Sequence, residues 1–226
     1  MPLTRDVKFP ADHGRAGFPP RKLARVAIAA AALEAAGFAA FGCPVPEDLS
    51  KGIRAEFSDG GLAEYRATDN DIVTVRFTAA GQPDPGMIYE AKAGLYDLSA
   101  SSMRGGKADP GQSLTYRYST DPADLPVPKP GDAWVGTVTT EYPDGAELTE
   151  TAVYVFGRAD VARKIGECSF RTVPVKASFI DAEGDWVALD LIWFTDLGFA
   201  VTTGQSASGD GGRRARALVA LSTSGN

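Results

Sequence analysis

The sequence predicts an all-β protein, an antiparallel meander of about twelve strands that forms a curled sheet, a half-barrel or a barrel after an N-terminal helix of the export-signal type. From Cys43 onward, short segments that alternate apolar and polar residues recur at the spacing of β-hairpins. A helical period is almost absent there, and the 25 glycines and 15 prolines among 226 residues are typical of a chain with many turns. The pattern does not separate a barrel from a sandwich.

The first 42 residues predict an export signal that is removed from the mature protein. A basic region at 21–25 precedes an apolar, alanine-rich run at 26–33, and residues 40–42 place small side chains where a signal peptidase cleaves. Glu34 interrupts the apolar run, and a start codon assigned too far upstream would explain the long segment before the basic region. An ordinary amphipathic helix and a retained membrane anchor are the alternatives.

The chain after Cys43 begins with strands joined by short turns. A helical turn is predicted only within residues 46–53. Ser-Asp-Gly-Gly at 58–61 predicts a tight turn, Gly94 predicts a bend or bulge inside a strand, and 104–112 predicts a loop. The strands predicted in this half are 52–57, 62–67, 72–78, 87–100 and 113–120.

Residues 121–133 form a Pro-rich segment, with four prolines within 121–130. Because proline cannot donate to a β ladder, this segment is expected to be stiff, extended and excluded from the centre of a sheet. It could link two domains or cross one end of a single sheet. We favour a connection within one β domain, 43–226, because each flanking part alone has too few core residues.

The second half predicts its clearest hairpin around Pro-Asp-Gly at 143–145. Pro174 interrupts a later strand, which predicts an edge position or a bulge for that strand. The strands predicted in this half are 134–142, 147–156, 161–165, 168–179, 186–194, 199–203 and 215–223.

The charge balance argues against nucleic acid as a partner. The formal net charge is −6, and residues 1–42 contribute a net of +3, which leaves −9 for the remainder from Cys43. Binding to phosphates, or docking on anionic lipids by charge, requires a surplus of Lys and Arg. The aromatic strands, the export signal and the absence of catalytic motifs favour a hydrophobic small molecule or an envelope protein as the partner, with membrane contact only through the signal or a lipid on Cys43.

The inventory of reactive residues excludes several classes of chemistry. The single histidine, His13, lies in the predicted signal, so the mature chain would contain none. Ser-His-Asp and Cys-His catalysis and histidine-containing zinc sites are then excluded, and two cysteines cannot form a four-cysteine zinc site. The sequence also has no dinucleotide fingerprint, P-loop, HExxH or GxSxG motif. We therefore predict no cofactor and no metal.

Paired carboxylates are the enzymatic alternative that remains, since glycoside hydrolysis needs two carboxyl groups about 5–10 Å apart and no histidine. Oxygen ligands suited to calcium also lie close together at 69–71 and 181–185, but neither segment fits the EF-hand loop. Asp, Asn and Gly are also ordinary turn residues. The candidate carboxylates are Glu141, Asp144, Glu147, Glu150, Asp181, Glu183 and Asp185.

Aromatic residues on the predicted strands indicate either a β core or an apolar ligand groove. Trp186 and Trp193 lie seven residues apart on one strand, so a period of two puts them on opposite faces. One of the two should lie near the surface, which makes it the better groove candidate. The predicted ligand-binding residues are Trp134, Tyr154, Trp186 and Trp193.

Residues 166–201 resemble the closing part of a group of uncharacterised secreted bacterial β proteins. In that group a Cys-aromatic strand precedes a strand with aromatic residues at its end, a Pro-[Glu/Asp]-Leu-Gly turn and a hydrophobic strand. Here Thr195 stands where proline often lies. The Gly-Cys-Pro start at 42–44 is similar too. The resemblance implies an exported, curved antiparallel sheet with no assigned activity, and it implies that the two cysteines form a disulfide.

Cys43 could carry a lipid anchor, form half of a disulfide, bind a metal or act as a nucleophile. Ala40 and Phe41 fit a lipidation site poorly, and no His or Lys lies beside Cys43 to activate a free thiol. An exported chain with two cysteines usually carries one bridge. We predict a disulfide between Cys43 and Cys168, with a lipid anchor and a free thiol as the alternatives.

The sequence thus predicts a periplasmic or secreted envelope protein, with an inner-membrane-anchored form as the alternative. Its expected role is that of a binding or structural module for an apolar ligand or an envelope partner. The partner would use exposed sheet edges near Pro174 or the Pro-rich segment. A histidine-free carbohydrate-active enzyme is the second prediction.

Overall fold

Fourteen antiparallel strands make up the fold of the residues that the structure describes. The computed structural model describes residues 42–68, 71–82, 84, 86–209 and 212–224, so the predicted export signal, apart from Gly42, lies outside the described residues. Two short 3₁₀ helices, Pro46–Ser50 and Pro122–Asp124, accompany the strands, and no helix in the described part of the chain is long and apolar enough to cross a membrane. The strands are β1 Ile53–Phe57, β2 Leu62–Ala67, β3 Ile72–Thr78, β4 Met87–Lys92, β5 Tyr96–Arg104, β6 Lys107–Tyr118, β7 Ala133–Glu141, β8 Glu147–Phe156, β9 Val161–Ile165, β10 Cys168–Ile180, β11 Trp186–Phe194, β12 Phe199–Ala207, β13 Arg214–Ala215 and β14 Leu218–Thr223.

The strands form one curled, unclosed sheet. Sequence neighbours pair from β1 to β8, β10 follows β8, and β9 pairs with the first part of β10. The last two strands, β13 and β14, stand at opposite ends of the pairing order. Between them, the N–H of Arg216 donates to the Thr203 carbonyl at 2.9 Å, and the N–H of Ser58 donates to the Ala217 carbonyl at 2.8 Å. The predicted all-β antiparallel meander is confirmed, and it takes the form of a curled sheet.

Two predicted strands are each divided in the structure, which accounts for fourteen strands where about twelve were predicted. Residues 87–100 form β4 and β5 because Ala93 and Gly94, with φ of 54° and 61°, close a hairpin turn between them. The last predicted strand divides into β13 and β14 at residues 216–217. The predicted loop at 104–112 is instead a turn at Gly105 and Gly106, after which β6 begins at once.

The prediction that Pro174 marks an edge or a bulge is wrong. β10 has β11 on one side and both β9 and β8 on the other, and Pro174 pairs with β11 in an uninterrupted register. Gly157 N–H donates to the Pro174 carbonyl at 2.7 Å, so the nitrogen of Pro174 faces the side of β8 and β9. Pairing with β9 ends at Thr172 and pairing with β8 begins at Val175. Position 174 therefore lies between the residues that pair with β9 and those that pair with β8. The backbone N–H that proline lacks is not needed there for a hydrogen bond between strands.

Two apolar clusters pack against opposite faces of β11 and β12. One cluster gathers residues of β5 to β8 and the later part of β10. The other gathers residues of β1 to β3, β9, the start of β10, β14 and the first 3₁₀ helix. Because alternate residues of β11 and β12 enter different clusters, 191–194 and 199–201 are continuously apolar, as expected for strands that are buried on both faces. The first cluster takes Leu191, Trp193 and Ala200, and the second takes Ile192, Phe194, Phe199 and Val201.

The Pro-rich segment joins β6 to β7, which are neighbours in the same sheet. Leu125 inserts into the cluster of β5 to β8 and is only 3% exposed. Beside it, the Tyr96 hydroxyl donates to the Pro126 carbonyl at 2.9 Å. The segment therefore packs against one border of this cluster and supplies an apolar side chain to it.

Replacing Leu125 with Ala is expected to lower the free energy of unfolding by about 2–3 kcal/mol, because a buried leucine side chain leaves a cavity. Val127 in the same segment is 55% exposed, so Val127→Ala is the matched control and should change stability by less than about 0.5 kcal/mol. Urea unfolding followed by tryptophan fluorescence measures both. Equal effects of the two substitutions would show that the segment does not pack on the cluster as described.

A disulfide joins Cys43 to Cys168, with their Cα atoms 5.6 Å apart, as predicted. Cys168 is buried at the start of β10, and Cys43 lies shortly before the first 3₁₀ helix. Neither sulfur is available as a free thiol or as a lipid attachment site in this state. The bridge attaches the beginning of the described chain to a late strand of the sheet.

Candidate ligand-binding site

Pairing register identifies which aromatic side chains face the interior of the curl, since directly opposite residues in an antiparallel pair share a face. Trp134 lies opposite Tyr154, and Tyr118 lies opposite Val138. Tyr154 and Val138 are fully buried, so Trp134 and Tyr118 point inward with them. Both are nevertheless only half-buried, and so is the inward-facing Tyr116. The inner face therefore keeps aromatic surface in contact with solvent.

Five aromatic rings form one connected group on this face. Tyr96 and Tyr154 form its buried base, with ring centroids 4.6 Å apart. Trp134 lies 5.8 Å from Tyr154 and 5.9 Å from Tyr118, and Phe179 lies 5.9 Å from Tyr154 at an edge-to-face angle of 88°. These offset and perpendicular arrangements are favourable for aromatic rings. We call Tyr96, Tyr118, Trp134, Tyr154 and Phe179 the aromatic cluster.

Gly136 gives the Trp134 ring its position. A Cβ atom at residue 136 would lie 2.5 Å from Cζ2 and 2.6 Å from Cη2 of the Trp134 indole, much closer than atoms can approach. The indole therefore lies against the backbone of β7 in space that only glycine leaves free. Sequence reasoning missed this residue, although a glycine two positions after a tryptophan on an alternating strand was visible.

The cluster carries a few polar groups at defined positions. The hydroxyl oxygens of Tyr118 and Tyr154 are 3.2 Å apart and share a hydrogen bond. Burial is the main cause that raises the pKa of both phenols well above the ordinary value, so both remain neutral. An apolar surface with a small number of fixed polar groups is the usual composition of a small-molecule site.

Asp97 also faces the inner side of the sheet. It is the one carboxyl group among the described residues whose pKa is strongly raised. It lies in β5 at a bulge, where Glu90 and Ala91 of β4 face Ser99 and Asp97 and leave Leu98 as the extra residue. Ala91 is fully buried, so Asp97 opposite it faces the interior, and burial raises the pKa of Asp97 to about 7.

The Asp97 carboxyl influences the pKa values of four tyrosines. Burial is the main cause that raises the pKa of each, and the nearby Asp97 carboxyl adds to the rise for Tyr65, Tyr89, Tyr118 and Tyr154. Asp97 therefore lies between the aromatic cluster and the tyrosines of β2 and β4. Sequence reasoning missed Asp97, because the bulge that turns it inward depends on the partner strand.

The four predicted ligand-binding residues occupy three kinds of environment. Trp134 lies half-buried in the aromatic cluster, and Tyr154 forms its base. Trp193 is 4% exposed within the same apolar core, whereas Trp186 is 40% exposed on the other face of β11. The predicted opposite faces are confirmed. The residue near the surface, which the sequence favoured for a groove without saying which of the two it is, is Trp186. It points away from the aromatic cluster and cannot join it.

Four of the seven candidate carboxylates for glycoside hydrolysis, Glu141, Asp144, Glu147 and Asp181, serve turns or ion pairs. The Arg117 guanidinium contacts Glu141 at 2.6 Å and also Glu147, which lies directly opposite Glu141 across the hairpin. The Asp181 carboxylate accepts the N–H groups of Glu183 and Asp185 at 3.0 and 2.9 Å, which closes the turn before β11. Within the described ranges, no group of three or more His, Cys, Asp or Glu residues could hold a metal ion.

Comparison with protein-family models, with curated proteins and with solved structures finds no match to this chain. The resemblance of residues 166–201 to secreted bacterial β proteins therefore stays a prediction. The inner face of the sheet and its aromatic cluster are the basis on which a function can be argued.

Proposed function

We propose that this chain is an exported binding module that takes an apolar small molecule onto the inner face of its curled sheet. The observation that carries the proposal is the half-buried state of Tyr116, Tyr118, Trp134 and Phe179 beside fully buried neighbours on the same face. Aromatic surface on an inner face gains free energy when a ligand removes it from water, about 25 cal/mol per Å². The alternative explanation, an incompletely filled hydrophobic core, predicts no ligand binding at this face.

The polar groups at the site would orient the ligand. The hydrogen-bonded hydroxyls of Tyr118 and Tyr154 form one fixed pair at the cluster, and the inward Asp97 carboxyl lies near both. A ligand with one hydroxyl or amine on an otherwise apolar body would match this composition. Rings of the ligand would add edge-to-face contacts with Trp134 and Phe179, each worth about 0.5–1.5 kcal/mol.

The disulfide supports export. A bridge between Cys43 and Cys168 is stable in the periplasm or outside the cell, whereas cytosolic thiols are kept reduced. The proposal therefore places the module in an oxidising envelope compartment, where the predicted signal at 1–42 would deliver it.

A neutral apolar dye tests the proposal. N-phenyl-1-naphthylamine is expected to bind the purified chain saturably, with a rise in fluorescence. Trp134→Ala should weaken binding about tenfold, because it removes a large part of the aromatic surface. Gly136→Ala should also weaken binding, since the new Cβ displaces the indole without removing it.

Trp186→Ala is the matched control, because it removes an indole from the opposite face of the sheet and should leave dye affinity unchanged. Urea unfolding of each variant verifies that the fold is retained. Absence of saturable dye binding, or an equal loss of affinity in the Trp134 and Trp186 variants, would contradict binding on the inner face.

A further inference from the structure

A second concave surface lies away from the aromatic cluster, between β9 and the segment that joins β13 to β14. It is a groove of about 350 Å³. Residues of β9, β11 and β12 line it together with residues of the segment 213–218. The described residues that line it are Arg163, Lys164, Ile165, Ile192, Thr203, Arg213, Ala215, Arg216, Ala217 and Leu218.

The charge of this groove is opposite to that of the protein. Four of its described lining residues are basic and none is acidic, whereas the chain from Cys43 carries a net charge of −9. Two of the four have carboxylate partners: Arg213 contacts Asp190 at 2.9 Å, and Lys164 contacts Glu167 at 3.4 Å. Since the four cations come from two segments, β9 and residues 213–216, an anion placed within the groove would interact with positive charge from both segments.

Arg216 is held in place by aromatic rings. Its guanidinium carbon lies 3.8 Å from the ring centroid of Phe57 and 4.5 Å from that of Phe77. The backbone N–H of Arg216 is fixed by the Thr203 carbonyl at 2.9 Å. Burial is the main cause that lowers the pKa of Arg216, and the nearby Tyr65, Asp59 and Tyr89 oppose this effect. A guanidinium oriented by stacking retains N–H donors for a planar or tetrahedral anion.

Arg163 faces the groove from β9. Its side chain is exposed, and it forms no ion pair or side-chain hydrogen bond with any of the residues that the structure describes. It lies two positions before the buried Ile165, which also lines the groove and anchors this part of β9 in the core. An arginine presented by an anchored strand can reach a bound anion without any loss of an existing partner.

We propose that this groove binds the phosphate or sulfate group of a small anionic ligand, with Arg163 and Arg216 as its two principal donors. Charge-assisted hydrogen bonds from an arginine of β9 and an arginine of the C-terminal segment would hold the group, and Lys164 and Arg213 would add to the positive field. The chemistry is shared by a free phosphate and a phosphate in a lipid headgroup. The groove and the aromatic cluster use different residues, so the anion-binding proposal and the proposed apolar ligand binding can each be refuted without affecting the other.

Titration calorimetry of the purified, disulfide-bonded chain with inorganic phosphate tests the proposal at low salt. Phosphate is expected to bind with a dissociation constant in the millimolar range or below, and added sodium chloride should weaken it. Arg163→Gln and Arg216→Gln should each reduce affinity about tenfold, which corresponds to the loss of one charge-assisted hydrogen bond. Because Arg163 is exposed, its variant is expected to keep the fold even if the Arg216 variant does not.

Arg104→Gln provides the matched control, since it removes the same charge from an exposed arginine outside the groove and should leave affinity unchanged. In a parallel arm, co-sedimentation compares phosphatidylglycerol vesicles with phosphatidylcholine vesicles. Binding to phosphatidylglycerol alone, with the same dependence on Arg163, would identify a lipid headgroup as the source. Binding in neither arm, or an equal loss with Arg104→Gln, would overturn the proposal.

Discussion

Reduction of the disulfide between Cys43 and Cys168 is expected to lower the free energy of unfolding by about 4–5 kcal/mol. The two cysteines are 125 residues apart in sequence, so reduction releases a long loop in the unfolded chain. In the chain-entropy model, the stabilisation grows with the logarithm of loop length. Because a domain of this size is stable by about 5–15 kcal/mol, the loss should shift its unfolding midpoint strongly.

Guanidinium unfolding with and without a phosphine reductant measures this effect. The double variant Cys43→Ser with Cys168→Ser is the control, because it already lacks the bridge and should show no response to reductant. Unfolding curves of the unmodified chain that coincide in the two conditions would contradict a stabilising role for the bridge.

Asp97 is expected to make the protein less stable as the pH rises from about 4 to about 7. Burial raises the pKa of Asp97 in the folded chain to about 7 from an ordinary value of 3.8, so the unfolded chain releases this proton first. The unfolded state then binds fewer protons than the folded state over that interval, and the free energy of unfolding falls. The effect ceases above the folded pKa, and its upper limit is ~4 kcal/mol.

Asp97→Asn should remove this slope and stabilise the chain at pH 8, since an amide carries no charge to bury. Urea unfolding at pH 4, 5.5, 7 and 8 compares the two proteins. Glu183→Gln serves as the control, because it neutralises an exposed carboxylate in the turn before β11 and should leave the slope in place. A pH dependence that is identical in the Asp97 variant and the unmodified chain would refute the raised pKa of this carboxyl.

Local patterns predicted most of the strands correctly. The hairpin expected at 134–142 and 147–156 is present as β7 and β8, because Pro-Asp-Gly turn chemistry and side-chain alternation both act over a few residues. Gly94 was expected to bend a strand, and it instead closes a turn together with Ala93, whose positive φ is rare for alanine. Local propensity could not reveal that turn, since contacts with β12 support it: the Ala200 N–H donates to the Ala93 carbonyl at 3.1 Å.

The candidate sites depended far more on tertiary structure. The alternation of apolar residues indicated that Trp186 and Trp193 lie on opposite faces, but not which of them faces the interior. Asp97 points inward because β4 opposes it across a bulge, a property of the partner strand. Arg163 and Arg216 come together because the end of the chain crosses between the two ends of the sheet.

The sequence by itself determined an acidic, antiparallel β protein without a recognisable catalytic motif, and it determined the one cysteine pair available for a bridge. Only the tertiary structure decided that β11 and β12 are buried on both faces, that three of the four proposed ligand residues share one core, and that basic residues meet in a groove. The reason is physical: alternation and turn chemistry are set by neighbouring residues, whereas the curl of a sheet is set by packing between strands that are distant in sequence.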